Sequence, residues 1–71
     1  MTKEDIIKLW CEILNKEDID TEKTYFENGG NSLNVVKMLK KLEKDYNINL
    51  DVMGFFQNAT IEFILGENKN D

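Results

Sequence analysis

The spacing of the apolar residues limits the fold of this chain more than any other feature of its sequence. In residues 1–15 the large apolar side chains recur at helical spacing and fall on one face: Ile6, Leu9, Trp10, Ile13 and Leu14. We therefore predict a first helix over residues 1–15. Thr2 is its expected N-cap, and Glu4 and Asp5 stand in its first turn, where the helix dipole favours acidic side chains.

A second amphipathic pattern predicts a helix from Ser32 to about Tyr46. Its apolar stripe consists of residues at offsets of four, three and four: Val35, Leu39, Leu42 and Tyr46. The opposite face carries lysines and is interpreted as a solvated surface: Lys37, Lys40, Lys41 and Lys44. Leu33 falls on this lysine face, so its side chain is expected to be exposed beside Ser32. Val36 and Met38 are expected to flank the apolar stripe.

A shorter third helix is expected after Asp51, which is a suitable N-cap, and it should end near Gln57. Phe56 is expected to pack inward, whereas Met53 and Phe55 are expected to be partly exposed. The alternative, in which all of these side chains belong to the core, is left open at this point.

A last helix is predicted after Thr60, which is its expected N-cap. The inward face of this helix contains Ile61, Ile64 and Leu65. Gly66 is expected to end it, and residues 67–71 are expected to form a frayed polar tail.

These helices define the fold class. Three main amphipathic helices, one short helix and no convincing strand predict an all-α fold, a small four-helix bundle. A chain of 71 residues has room for one small core, so residues 1–71 are assigned to a single domain.

The connection between the first two helices, residues 15–31, is long and is expected to be anchored by Ile19 and by the pair Tyr25 and Phe26. At its end, two glycines permit a sharp turn with positive φ. Asn31 and Ser32 suit a helix N-terminus, where free N–H groups and partial positive charge favour an anion. From these residues alone, an N-cap role for Ser32 is the simpler interpretation.

The composition argues against several classes of function. A net charge of −5, with nine lysines and no arginine, disfavours a nucleic-acid binder. The single cysteine, Cys11, excludes an internal disulfide and a cysteine-based zinc site. The chain has no histidine to activate Cys11 or Ser32 as a nucleophile, so we expect neither a catalytic residue nor a metal site. No signal peptide and no long apolar run are present, and a cytoplasmic protein that does not contact the membrane is expected.

The segment from Phe26 to Leu33 resembles the signature of peptidyl carrier proteins, the thiolation domains of nonribosomal peptide synthetases, within the acyl carrier protein-like superfamily. In that signature an aromatic residue and a short spacer precede Gly-Gly, a polar residue, a serine, and then leucine or isoleucine. The resemblance extends from about Ile6 to about Leu65 and implies an acyl carrier protein-like bundle. It also implies that Ser32 carries 4′-phosphopantetheine, taken from coenzyme A. The chain departs from the family at Asn28, where leucine is frequent, and in the last helix, which usually continues with an apolar residue where this chain has Asn68.

The resemblance further implies a carrier that performs no catalysis and holds an aminoacyl, peptidyl or aryl group as a thioester on the arm at Ser32. Its implied partners are a phosphopantetheinyl transferase, an adenylating enzyme that loads the acyl group, and a condensation, thioesterase or tailoring enzyme. The residues expected to contact these partners are Leu33, Val36, Met53 and Phe55. Because Met1 directly precedes the first helix and the tail is short and polar, a free-standing monomer is expected.

Two alternatives remain open from the sequence. One is an acyl carrier protein of the fatty acid or polyketide type, which the lysine face disfavours because the second helix of fatty acid carriers is acidic. The other is a helical protein-interaction domain without a cofactor, in which Ser32 is only a helix cap.

Overall fold

Helices account for all the regular secondary structure in the part of the chain that the computed structural model describes, which is the backbone of residues 1–69 and the side chains of residues 1–66. In chain order the helices are α1 (Lys3–Leu14), α2 (Ser32–Tyr46), α3 (Val52–Gln57) and α4 (Ile61–Lys69). Helix α1 packs against both α2 and α4. The predicted all-α fold, with three main helices and one short helix, is confirmed.

Local hydrogen bonds set both ends of α1. Thr2 Oγ1 accepts a hydrogen bond from the Asp5 N–H at 3.2 Å, and Asp5 Oδ2 accepts one from the Thr2 N–H at 2.8 Å, which together form a capping box. The hydrogen bond from the Thr2 N–H lowers the pKa of Asp5. At the other end Asn15 takes a left-handed conformation (φ 56°), so the helix ends at Leu14. Its central apolar residues Ile6, Leu9 and Trp10 are buried.

Helix α2 begins at Ser32 and ends at Tyr46, as predicted, but its buried stripe is rotated slightly about the helix axis. Met38, expected at the edge, is completely buried together with Val35 and Leu42. Leu39 is only half-buried, and Tyr46 is 37% exposed. Met38 and Leu39 lie on either side of the line through Val35 and Leu42. The helical pattern permits either of them to face inward, and the neighbouring elements place Met38 there.

The two phenylalanines of α3 have the reverse of the predicted orientation. Phe55 is completely buried, with its ring centroid 5.8 Å from that of Tyr25 and 6.4 Å from that of Phe63. Phe56 is 43% exposed and stacks on Phe26, with centroids 5.6 Å apart. Because consecutive residues point about 100° apart on a helix, only one of them fits the central position. The assignment of Phe55 to a partner surface is therefore wrong.

Helix α4 starts as predicted, because Thr60 Oγ1 accepts a hydrogen bond from the Phe63 N–H at 3.1 Å. Ile61 and Ile64 are buried, and Leu65 is partly buried. Gly66 does not end the helix, which continues to Lys69. Glycine ends a helix when it takes a left-handed conformation, and Gly66 instead keeps helical backbone angles. Of the predicted frayed tail, residues 67–69 have helical backbone, whereas residues 70–71 and the Asn68 side chain lie outside the described part.

Candidate functional site

The loop before α2 is attached to the core by two side chains that the sequence singled out. Ile19 is 8% exposed and Tyr25 is completely buried. The Tyr25 ring packs edge-on against the Trp10 ring, with centroids 5.1 Å apart. The backbone N–H of Tyr25 donates a hydrogen bond to the Ala59 carbonyl at 2.7 Å. Burial raises the pKa of Tyr25 to about 12, so its hydroxyl remains protonated and can donate a hydrogen bond at neutral pH.

Asn28 holds the middle of this loop together. Its side chain is 5% exposed. Oδ1 accepts a hydrogen bond from the Asp20 N–H at 2.8 Å, and Nδ2 donates to the carbonyls of Asp20 at 2.9 Å and Thr24 at 3.0 Å. In the sequence, Asn28 stands out only as a departure from the family pattern. The available signal was that a long connection needs partners for its backbone groups, which an amide provides and a leucine does not.

The two glycines serve the loop in different ways. Gly29 has φ 105°, the positive value that the sequence predicted. Gly30 does not have positive φ, and its requirement is one of space. A Cβ atom at Gly30 would lie 2.2 and 2.3 Å from two carbons of the Tyr25 ring. The loop backbone therefore runs directly against the buried tyrosine at this position.

Asn31, rather than Ser32, caps α2. Its Oδ1 accepts hydrogen bonds from the N–H groups of Leu33 at 2.9 Å and Asn34 at 3.0 Å. In return Asn34 Oδ1 accepts from the Asn31 N–H at 2.8 Å and from the Tyr25 hydroxyl at 2.7 Å. The capping box is thus connected to the core through Tyr25.

Ser32 is the first residue of α2 and is exposed. Because Asn31 provides the cap, the interpretation of Ser32 as only an N-cap is wrong. Within the described residues, neither the Ser32 hydroxyl nor its N–H makes a hydrogen bond to the protein. The free N–H groups expected at this helix end are therefore fewer than predicted, since those of Leu33 and Asn34 are already bound to Asn31.

The positive charge beside the loop comes from α2 and from Lys16. The N-terminus of a helix carries partial positive charge, which extends to Ser32. The Lys16 ammonium lies against the glycine turn, 3.3 Å from the place that a Cβ of Gly29 would occupy. An anionic group attached to the Ser32 hydroxyl would meet the partial positive charge of this helix end without displacing any hydrogen bond of the cap.

Three of the four residues predicted to contact partners lie on the surface. Leu33 is 82% exposed, Val36 is 50% exposed and Met53 is 68% exposed. Phe55 is buried, and the exposed apolar residues of α3 that the sequence did not identify are Val52 and Phe56, at 44% and 43%.

A groove lies between α2 and the segment that leads into α3. Its volume is about 250 Å³, and Val36 and Val52 are on its walls. The other residues that line it are Leu39, Lys40, Glu43, Asn49 and Leu50. Leu33 and Met53 do not line this groove. Of the residues predicted to contact partners, only Val36 lines it, together with the exposed Val52.

The lysines of α2 differ in their surroundings. Lys41 forms an ion pair with Glu12 of α1, and the hydrogen bond and charge of Glu12 raise the pKa of Lys41. The other three, Lys37, Lys40 and Lys44, are exposed as predicted. Among the described helices none is long and apolar enough to cross a membrane, and the side chains described include no cluster suited to a metal ion.

Comparison with known families gives one match that covers most of the chain. Residues 4–65 match the family described as "Phosphopantetheine attachment site". Among curated proteins, the chain is 32% identical over 63 residues to bacitracin synthase 3 of Bacillus licheniformis, and 39% identical over 46 residues to syringomycin synthase SyrB1 of Pseudomonas syringae pv. syringae. These alignments cover 89% and 65% of this chain, but only 1% and 8% of the two synthases.

Two solved structures share the fold. One is a solution structure of an extended docking-domain complex from the Pax nonribosomal peptide synthetase, with a TM-score of 0.82 and 22% identity over 96% of this chain and 65% of that one. The other is BlmI, a type-II acyl carrier protein from Streptomyces verticillus involved in bleomycin biosynthesis, with a TM-score of 0.76 and 20% identity over 90% of this chain and 77% of that one. At these identities the likeness establishes the helical architecture.

Proposed function

The chain belongs to the phosphopantetheine attachment site family, whose members carry 4′-phosphopantetheine covalently, and we propose that Ser32 is the residue of this chain that carries it. The observation that supports this assignment most directly is that the N-cap and the exposed serine at the start of α2 are different residues. Asn31 caps the helix, so the exposed Ser32 hydroxyl is available for attachment. Ser32 is also the single serine of the chain.

The residues around Ser32 suit a phosphodiester at this position. The positive end of the α2 dipole and the Ser32 N–H favour the negative charge of a phosphate. The hydrogen bonds from Tyr25 to Asn34 and from Asn34 to Asn31 hold the first turn of α2, and thereby the serine, in a defined orientation. The attached group supplies a terminal thiol that binds an acyl group as a thioester, and the protein supplies the attachment point and the surface that partners recognise.

The class of cargo that we propose is aminoacyl, peptidyl or aryl, in nonribosomal peptide-type biosynthesis. The similarity to bacitracin and syringomycin synthases supports this assignment. The exposed lysines of α2 support it as well, because a carrier of the fatty acid type presents an acidic second helix.

The proposed partners are a phosphopantetheinyl transferase, an adenylating enzyme that loads the acyl group, and a condensation, thioesterase or tailoring enzyme. We propose that they contact Leu33, Val36 and Met53, together with Phe56. A partner that reaches the Ser32 hydroxyl must cover the first turn of α2, where Leu33 is the most exposed large apolar side chain. The carrier is proposed to act as a monomer in the cytoplasm.

The assignment of Ser32 is tested by mass spectrometry of the intact protein after incubation with coenzyme A and a promiscuous phosphopantetheinyl transferase. We expect one phosphopantetheine adduct on the wild type and on Thr21→Ala, a control that keeps Ser32 and removes another hydroxyl of the same loop. We expect no adduct on Ser32→Ala. An unmodified wild type would contradict the proposal and favour a helical interaction domain without a cofactor.

A further inference from the structure

Asn28 and Gly29 form the one Asn-Gly pair of the sequence, and this pair has a chemistry of its own. When the backbone nitrogen of the following residue attacks the asparagine Cγ, a C–N bond forms and closes a five-membered succinimide. The Cγ–Nδ2 bond breaks, and the amide nitrogen leaves as ammonia with the proton from the attacking N–H. Water then opens the ring to aspartate or isoaspartate. Glycine favours the attack because no Cβ shields its nitrogen.

In the folded loop, hydrogen bonds hold both reacting groups, the Asn28 side-chain amide and the Gly29 backbone N–H, in positions that disfavour this reaction. The Asn28 amide is 5% exposed and makes three hydrogen bonds, with Asp20 N–H at 2.8 Å, Asp20 carbonyl at 2.9 Å and Thr24 carbonyl at 3.0 Å. The Gly29 N–H donates to the Phe26 carbonyl at 3.0 Å. Attack requires the Asn28 side chain to turn toward the Gly29 nitrogen, and requires that nitrogen to lose its proton. Both changes break hydrogen bonds that hold the loop together.

The product does not fit the place that the amide occupies. Nδ2 of Asn28 donates to two backbone carbonyls, whereas an ionised aspartate accepts hydrogen bonds only. Its negative charge would lie, nearly without water, against two carbonyl oxygens. Isoaspartate adds one backbone carbon just before Gly29, whose φ of 105° belongs to the turn that leads to Ser32. Aspartate therefore loses the two hydrogen bonds from Nδ2 to the carbonyls of Asp20 and Thr24, and isoaspartate in addition lengthens the backbone of the loop.

We propose that Asn28–Gly29 is a deamidation site that is protected while the loop is closed, and that its modification inactivates the carrier by disordering the loop that presents Ser32. The first part of this proposal, the protection of Asn28 in the closed loop, concerns the protein alone. The second part, the inactivation of the carrier, rests on the proposed function of Ser32. The change is irreversible because ammonia is lost. The fraction of deamidated protein therefore increases with the total time that the loop has been open.

The first part is tested by peptide mapping of wild-type protein kept at mildly alkaline pH, with and without a denaturing concentration of urea. We expect the peptide with Asn28 to deamidate at least about tenfold more slowly in the folded protein, because only the open population reacts. Asn49, which is exposed and followed by leucine, is the internal control and should change little between the two conditions. Equal rates at Asn28 in folded and unfolded protein would overturn the protection.

A matched pair of loop variants relates the rate to loop opening. Ile19→Ala removes the buried side chain that anchors the loop and should accelerate the deamidation of Asn28 several-fold in native buffer. Lys23→Ala changes an exposed side chain of the same loop and should leave the rate unchanged. If both variants react like the wild type, opening of this loop does not control the reaction.

The second part is tested with Asn28→Asp, whose rate of phosphopantetheine attachment is compared with that of wild type. We expect a decrease of about tenfold or more with retained helix content in circular dichroism, because α1, α2 and α4 do not depend on the Asn28 amide for their hydrogen bonds.

A second measurement needs no variant. Wild-type protein is aged until about half of its chains are deamidated at Asn28, and phosphopantetheine attachment is then compared between the two halves. We expect the unmodified chains to accept the adduct at the normal rate and the deamidated chains to accept it more slowly. Attachment to deamidated chains at the wild-type rate would refute inactivation, whereas absence of any adduct on fresh wild type would refute the function of Ser32 instead.

Discussion

At the scale of single residues, Tyr25 connects the core to the site. Its ring packs between Trp10 and Phe55, and its hydroxyl donates to Asn34 Oδ1, which also accepts from the Asn31 N–H of the α2 cap. A buried hydroxyl with one good partner stabilises a fold by about 1 kcal/mol. The ring of the same residue, rather than its hydroxyl, determines how closely the loop backbone approaches at Gly30.

Tyr25→Phe is expected to lower the free energy of unfolding by about 1 kcal/mol at neutral pH and to slow attachment at Ser32, because Asn34 loses a donor. Urea unfolding and the attachment rate measure the two effects. Tyr46→Phe removes an exposed hydroxyl of α2 and serves as the control that should change neither.

The same variant tests the raised pKa. Burial moves the pKa of Tyr25 from 10.0 to about 12, so the folded protein holds this proton more tightly than the unfolded chain. Above pH 10 the unfolded chain releases this proton more readily than the folded protein, so the free energy of unfolding is unaffected below about pH 10 and falls as the pH rises from about 10 to about 12. Tyr25→Phe should lack this part of the alkaline loss. An equal alkaline loss in the variant and the wild type would contradict the assignment.

At the scale of elements, the glycines show how the same residue type meets different requirements. Gly29 has a positive φ, and Gly30 leaves space for the Tyr25 ring. Gly66 lies within α4, where a Cβ would contact none of the described atoms within 4 Å. The loop therefore depends on its glycines, whereas α4 does not depend on its own.

Gly30→Ala and Gly66→Ala form a matched pair with opposite expected outcomes. At Gly30 the new methyl group would overlap the Tyr25 ring, so the variant should lose about 1–3 kcal/mol of stability and most of its attachment rate. At Gly66 alanine should raise the free energy of unfolding by about 0.5–1 kcal/mol, because it favours the helical conformation. Thermal unfolding of both variants tests this, and a Gly30→Ala protein as stable as wild type would show that the ring moves aside easily.

At the scale of the whole molecule, α2 and α3 present exposed apolar side chains, while their other faces complete one core. Leu33, Val36, Met53 and Phe56 are exposed, whereas Val35, Met38 and Phe55 are almost completely buried. Stability and the proposed recognition of partners are therefore assigned to different residues of the same two helices.

Leu33→Ala and Phe55→Ala test this separation. Leu33→Ala should leave the thermal midpoint nearly unchanged and reduce turnover by partner enzymes, because its side chain is 82% exposed. Phe55→Ala should cost about 3–5 kcal/mol of stability, since a completely buried ring is removed from the centre of the aromatic cluster. A large loss of stability in Leu33→Ala would mean that Leu33 belongs to the core.

The sequence by itself determined the features that depend on near neighbours in the chain. Helical periodicity identified α1, α2 and α4, and the interpretation of Asp51 as an N-cap predicted α3. Local capping chemistry located the Thr2 and Thr60 caps and the start of α2 at Ser32. The positive φ of Gly29 was also predictable, because backbone sterics decide it locally. These features need only hydrogen bonds and dihedral preferences within a few residues.

Only the tertiary structure decided which of two adjacent side chains faces inward and why certain loop residues are needed. Phe55 rather than Phe56, and Met38 rather than Leu39, fill the core, because neighbours distant in the sequence leave space at one rotation of each helix. The burial of Asn28 likewise depends on backbone groups four and eight residues away that meet only in the folded loop. A helical pattern tolerates a small rotation about its axis, whereas a closely packed core does not.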